Sequence, residues 1–414
     1  MIRRHMTSRV VEALRDTPAV FLVGPRQAGK STLVKALRGD SYVTLDRIAQ
    51  RSAAASDPEG FVAGLPGAVV IDEVQRVPEL FLALKAAIDE DRRPGRFLLT
   101  GSANALMLPT VADALPGRVE ILTLWPLTQG EPEGRVDGFV DALFTRTLPS
   151  WKPVPMTPQS LYERVLRGGF PEVARRAGAR RIAWFESYIT TQIEREVREL
   201  TAIDSAAELM GMIRLIAARN CALLNLADVA RDARLAHSTA RRYLRLLEMI
   251  FMVAIVPAWA TSHTTRLVRS PKIMLTDTGL AAHLLGADAD RLDTDASLRG
   301  RLLEGFVATE LRKQIGWSRA RPSQHHFRSR RGEEVDCVLE SRDGRLVGIE
   351  VKASATVRGD DFKGLRALET LAGDRFLRGV VLYTGTETAA FGRKLWALPI
   401  SALWLLGSGP VGRQ

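Results

Sequence analysis

At 414 residues, 46% hydrophobic and 25% charged, the chain has the composition of a folded globular protein with room for two or three cores, which excludes a disordered or fibrous chain. Its two cysteines, Cys221 and Cys337, exclude a disulfide scaffold and show no metal-ligand spacing, so they read as buried thiols of a reducing cytoplasm. Lys+Arg 58 against Asp+Glu 47 leaves a net charge of +11, which suits a polyanionic partner, although the excess is mostly arginine and a GC-rich coding genome produces the same bias.

No apolar run reaches the ~20 residues of a membrane helix, residues 249–260 being too short, so no membrane is expected as partner. The start, Met1-Ile-Arg-Arg-His5, lacks the apolar core of a secretory leader. A cytoplasmic location is expected.

A helix over residues 8–15 leads into a buried apolar strand at 20–23. It meets Gly24-Pro25-Arg26-Gln27-Ala28-Gly29-Lys30-Ser31-Thr32, and an apolar-periodic helix follows over 32–37. Strand, Gly-x4-Gly-Lys-Ser loop and helix make the context of a P-loop. The glycines let backbone N–H groups turn inward onto phosphates, and the helix N-terminus adds positive potential there. Residues 24–32 are therefore candidate ATP ligands. Lys30 is expected to reach the β- and γ-phosphates, and Ser31 to hold Mg²⁺.

Residues 42–46 form a second strand, with Asp46 at the end where ligands of such sheets gather. Residues 68–72 form a third, delivering Asp72 and Glu73 at its end about forty residues after the P-loop. Asp72 is expected to bind Mg²⁺ through water, and Glu73 to polarise the attacking water. A helix over 78–89 precedes a strand over 96–102. The polar end of that strand, Thr100 and Ser102 with Asn104 beyond, is the candidate γ-phosphate sensor of an extra strand set between the P-loop and Asp-Glu strands. A fifth strand over 118–124 starts at Arg118, a candidate arginine finger toward a second copy of the chain or a surface partner of Glu120.

Gly24-Pro-Arg-Gln-Ala-Gly-Lys-Ser31, Ile71-Asp-Glu-Val-Gln75, Leu99-Thr-Gly-Ser102, Leu115-Pro-Gly-Arg118 and Trp125-Pro-Leu127 resemble a prokaryotic AAA+-type ATPase family. The resemblance covers essentially the whole chain, and members typically carry a C-terminal domain of unknown function. It implies that Gly168-Gly-Phe-Pro171 is a lid motif whose Pro171 closes on the nucleotide base.

Proline-dense residues 149–158 make a stiff linker to a helical lid over 160–176 and a long helix over 184–200. Helical patterns over 206–219, 226–233 and 238–249, then strands over 251–257 and 264–269, predict a winged helix-turn-helix. Ser238 is read as its N-cap, with Thr239, Arg242 and Arg245 toward DNA. Asp277, in the hallmark segment 270–280, is read at most as a cap for the helix that follows.

Beyond residue 300 come a helix over 301–314 with Glu304, strands over 325–328, 334–340 and 347–352, a helix over 360–371 and a strand over 379–383. Glu350 and Lys352, two apart on a strand, share a face that Asp336 completes from its neighbour. Asp336 and Glu350 are candidate metal ligands, Glu304 a second-metal ligand, and Lys352 the group that steadies the hydroxide or scissile phosphate. This pattern resembles the restriction-endonuclease-type PD-(D/E)xK fold. It departs from it at Gly332 to Glu334, where that pattern carries a proline.

The sequence thus predicts an α/β chain: a P-loop ATPase core over 1–150, linker and lid over 151–204, a winged helix over 205–270, and a connector plus nuclease-like domain over 271–414. The expected function is nucleotide-gated, Mg²⁺- and ATP-dependent action on nucleic acid, with DNA preferred to RNA and a homo-oligomer through Arg118. The alternative is an ATP-switched regulator or scaffold whose nuclease-like domain does not cut.

Overall fold

The computed structural model describes residues 2–102, 116–199 and 205–410. The chain packs as two compact units, Met1–Leu127 with Leu247–Met252, and Thr128–Leu246 with Val253–Gln414. In the first, β1 (Ala19–Val23), β2 (Tyr42–Thr44), β3 (Val69–Asp72), β4 (Phe97–Gly101) and β5 (Val119–Thr123) form a parallel sheet in the order β2-β3-β4-β1-β5. β1, β3 and β4 are buried along their whole length, as strands covered on both faces must be. β4 lies between β1 and β3, the position of the extra strand expected from the sequence. Helices Ile48–Ser56 and Pro58–Ala63 escape the periodicity reading because each buries a single residue, Ala54 and Val62.

Residues 128–150, which the sequence reading joins to the first domain, pack in the second unit. The reason is a set of buried polar ties. The Gln129 N–H donates to Glu310 Oε2 at 3.0 Å, and Trp317 Nε1 donates to the Asp137 carbonyl at 3.1 Å. The Arg378 guanidinium donates to the carbonyls of Ala142 and Leu143 at the end of helix Phe139–Leu143.

The lid helix ends early. It spans Pro158–Arg167, and Gly168, at φ +65°, turns the chain out of it before a short helical turn, Val173–Arg175. Helix Gly178–Glu199 follows. Helices Ala206–Ala218, Leu226–Asp232 and His237–Met249 then precede an antiparallel pair. Ser238, expected as its N-cap, is the second residue of the last of these. β6 (Arg135–Val136) is a short strand, and the antiparallel pair is β7 (Val253–Val256) with β8 (Lys272–Leu275). The expected return strand over 264–269 is instead helix His263–Val268. The β-branched Thr264 and Thr265 suggest a strand, but Arg266 overrides them: its guanidinium is bound to Glu340 at 2.5 and 2.9 Å, and its Nε donates to Ala260 O at 2.6 Å.

The second sheet comprises β9 (Ser323–Arg328), β10 (Glu334–Glu340), β11 (Leu346–Lys352), β12 (Phe376–Tyr383), β13 (Ala389–Ala390) and β14 (Leu395–Pro399), in the order β13-β14-β12-β11-β10-β9. β9, β10 and β11 run antiparallel, then β11, β12 and β14 parallel. β15 (Gly409–Pro410) pairs with β6. Helix Lys363–Ala372 lies close on this sheet because Gly348 has no Cβ, which would meet Leu365 Cδ2 at 2.6 Å. Among the described residues, no helix is long and apolar enough to cross a membrane.

Candidate functional site

The P-loop hangs between β1 and the helix Lys30–Arg38. Gly24, at φ +149°, has no room for a side chain: a Cβ would stand 2.2 Å from Leu124 O. Gly29, at φ +96°, turns the chain into the helix, and Gln27 also takes a positive φ of 59°. Lys30 is buried, and its Nζ donates to Gly24 O at 2.8 Å and Pro25 O at 2.9 Å. Burial pushes its pKa down to about 8 against the opposing charges of Glu73 and Asp72. The loop therefore presents one ammonium, curled on its own carbonyls, at the start of a helix.

Asp72 collects hydroxyls at the end of β3. Ser31 Oγ donates to its Oδ1 at 3.1 Å, Thr100 Oγ1 donates to the same oxygen, and Tyr42 OH donates to Oδ2. Tyr42 is absent from the sequence reading; its phenol pKa is raised by burial and by Asp72. The Ser31 and Asp72 oxygens are the hard donors Mg²⁺ takes alongside phosphate, so this pair fits the ion. When bound, it would neutralise charge on the phosphates.

Glu73 follows in the left-handed region, φ +58°. Its N–H donates to Thr100 Oγ1 at 3.1 Å, and its Oε2 accepts Gln75 Nε2 at 2.5 Å and Ser102 Oγ at 3.2 Å. Thr100 and Ser102 thus brace the two acids. Asn104 lies outside the described residues.

Three further acids are tied elsewhere. Asp46 pairs with Arg76 at 2.5 Å. Arg118 binds Asp89 through two contacts, at 2.7 and 3.0 Å, while Glu120 takes Arg9 at 3.1 Å; the expected Arg118–Glu120 pair is not formed. Behind the loop, Arg4 donates to Ala28 O at 2.5 Å and Trp125 O at 2.6 Å.

The second unit holds the other predicted residues. β10 and β11 pair Cys337 with Ile349, so Asp336 and Glu350 stand opposite one another across the ladder. Lys352 Nζ lies 2.9 Å from Glu350 Oε1, and Asp336 Oδ2 accepts the Val351 N–H at 2.9 Å. Glu304 joins from helix Ala296–Ile315. Between Glu304 and Asp336 stands a residue the sequence reading did not select, Lys272 of β8, 2.6 Å from Glu304 Oε1 and 3.4 Å from Asp336 Oδ1.

Burial and then the Asp336 charge raise the pKa of Glu304 and of Glu350. Burial alone would lower Lys272, but Glu304 and Asp336 outweigh it and raise its pKa. Among the described residues no three His, Cys, Asp or Glu side chains are disposed to hold a metal ion. As arranged, these carboxylates fit a protein ammonium and not a divalent metal.

Pro171 also belongs to the second unit. Its motif is clamped: Asp277, fully buried, accepts the Gly169 N–H at 2.7 Å while capping helix Thr278–Leu284 through Leu280 N–H at 3.0 Å.

Residues 16–132 match the family model described as an AAA domain, 158–291 a domain of unknown function (DUF8612) and 299–403 another (DUF4143). The uncharacterized proteins Rv2008c of Mycobacterium tuberculosis and Mb2031c of Mycobacterium bovis are each 33% identical to the chain over 359 residues, 86% of this chain and 74% of theirs. The chain belongs to their family.

Its first unit carries an AAA-type P-loop ATPase domain. Among solved structures, the Walker-type ATPase PABY2304 of Pyrococcus abyssi is similar at 15% identity and a TM-score of 0.44, over 69% of this chain and 96% of that one, a likeness too loose to add to the reading. Within the AAA domain the sequence signal locates Lys30, Ser31, Asp72 and Glu73. It assigns no role to Arg4 or Tyr42, because no local pattern links these residues to the loop, and it includes Gln75 only as the last residue of the Ile71–Gln75 motif. Lys272 has one faint signal, a lysine in a lysine-poor chain on a predicted segment of regular structure.

Proposed function

We propose that this protein binds ATP with Mg²⁺ at residues 24–32 and hydrolyses it, Glu73 polarising the attacking water. The observation that carries this is Asp72, with Ser31 and Thr100 on one carboxylate oxygen and Glu73 beside it, braced by Gln75 and Ser102. Hydrogen bonds from Gln75 and Ser102 aim the Glu73 carboxylate, as a water-polarising group must be aimed. Arg118 is the proposed contact to a second copy. Fluorescent-nucleotide titration with phosphate release tests the reading: Lys30→Ala loses binding, whereas Glu73→Gln binds and does not turn over. Binding by Lys30→Ala at wild-type affinity defeats it.

The output proposed is action on nucleic acid, DNA before RNA, through the second unit. Helix His237–Met249 exposes Arg241 and Arg245 and follows exposed Arg234, an electrostatic footprint for phosphates, and it supports the winged-helix reading. The helix–β9–β10–β11–helix–β12 order with Asp336, Glu350 and Lys352 supports a nuclease-like domain, and its gating by nucleotide state is part of the proposal. The second reading, a regulator that grips without cutting, is favoured by Lys272 among the carboxylates. Glu350→Ala separates site from site: ATP turnover persists while any metal-dependent cutting of plasmid is lost.

A further inference from the structure

Lys272 is built into the carboxylate cluster by three separate elements. β8 fixes its backbone against β7, Val256 opposite Lys272, and against Leu223 on the other side. The flanking residues are held in turn: Ile273 O accepts the Cys221 N–H at 2.8 Å, and Leu275 N–H donates to Asn220 Oδ1 at 2.8 Å. Helix Ala296–Ile315 reaches this layer because Gly305, next to Glu304, has no Cβ, which would stand 2.4 Å from Asn220 Nδ2. The Lys272 side chain is left 9% exposed, with its ammonium between Glu304 and Asp336.

Four of the six carboxylate oxygens that could serve a divalent ion are already engaged. Glu304 Oε1 and Asp336 Oδ1 face Lys272, Asp336 Oδ2 takes a backbone N–H, and Glu350 Oε1 takes Lys352. Glu350 Oε2 is buried without a hydrogen-bond partner among the described residues. Three carboxylates face two ammoniums, Lys272 and Lys352, so most of the negative charge that would draw a divalent ion is balanced within the protein. Seating such an ion beside a buried ammonium sets like charges together where the dielectric is low.

We propose that Lys272 is a resident cation that holds this cluster in place of a divalent metal, so that the second unit takes up Mg²⁺ or Mn²⁺ only when Lys272 leaves the space between Glu304 and Asp336. This rests on the nuclease-like reading of the second unit and is independent of the ATPase reading. It makes the domain latent as folded, with β8 as the element that would have to move.

The test is calorimetric titration of Mn²⁺ into the full-length chain without nucleotide, with electron paramagnetic resonance as a second readout. Wild type should take up no Mn²⁺ at the cluster up to about 1 mM. Lys272→Met should bind one ion at least roughly tenfold more tightly, and adding Asp336→Asn should remove it. Lys272→Gln keeps a donor for Glu304 and serves if the methionine variant does not fold. Mn²⁺ uptake by wild type that disappears in Asp336→Asn overturns the proposal, as does no uptake by a folded Lys272 variant. Plasmid cutting is followed in parallel: a metal-loaded variant that cuts nothing defeats the nuclease reading and leaves the Lys272 assignment standing.

Discussion

Asp277 reaches back 108 residues to hold Gly169, its Oδ2 accepting the backbone N–H at 2.7 Å, while its Oδ1 takes the Leu280 N–H at 3.0 Å. One buried carboxylate thus secures both the Gly168–Pro171 motif and the helix Thr278–Leu284. Burial raises its pKa, opposed by Lys313 and the backbone donors. Asp277→Ala orphans two buried N–H groups and should cost roughly 2–4 kcal/mol of stability, read as a shift in denaturation midpoint. Gly168→Ala should destabilise through the same contact, because its Cβ would stand 2.2 Å from Asp277 Oδ1 at a φ of +65°.

Gln75 touches Glu73 and Ser102 and closes the Ile71–Gln75 motif, in which the sequence gives it no role of its own. If it aims the Glu73 carboxylate, Gln75→Leu lowers ATP turnover about tenfold or more while leaving nucleotide affinity near wild type. A matched fall in affinity would show that Gln75 shapes the loop instead.

Arg4 ties Ala28 of the P-loop to Trp125 through their carbonyls. Arg4→Ala removes both bonds without removing any expected phosphate contact. Nucleotide affinity should drop by roughly tenfold with turnover at saturation retained, which titration and steady-state kinetics separate.

His326 is buried, its Nε2 on Ser270 O at 3.2 Å, and burial pushes its pKa down to about 4. The folded protein therefore refuses a proton that the unfolded chain accepts near pH 6.5. The stability it contributes is complete above that pH and is lost as pH falls toward 4, by at most about 3 kcal/mol. Denaturant midpoints at pH 7.5 and 4.5 should converge in His326→Gln relative to wild type.

Much of the nucleotide site is legible without coordinates because its parts are covalently spaced. Gly24, Gly29, Lys30 and Ser31 belong to one loop, and Asp72 and Glu73 end one apolar run. The three-strand run with Asp336, Glu350 and Lys352 is legible for the same reason, since alternation along a strand sets which residues share a face. The return strand at 264–269 fails because a local β preference meets a distant carboxylate, Glu340, that holds Arg266 in a helix. Of the two alternatives for Arg118, the pairing with Glu120 is not formed: Arg118 takes Asp89, and Glu120 takes Arg9.

What the sequence by itself determined is the P-loop and its acids, the succession of the five strands around them, and the acidic strand pair of the second unit. All of these follow from short-range periodicity and spacing. Tertiary structure alone decided which charge stands where among the buried groups. Lys272 meets Asp336 across 64 residues, and Asp277 meets Gly169 across 108. Such pairings depend on how strands and helices close in space, and the cost of burying an unpaired charge selects them only once the fold exists.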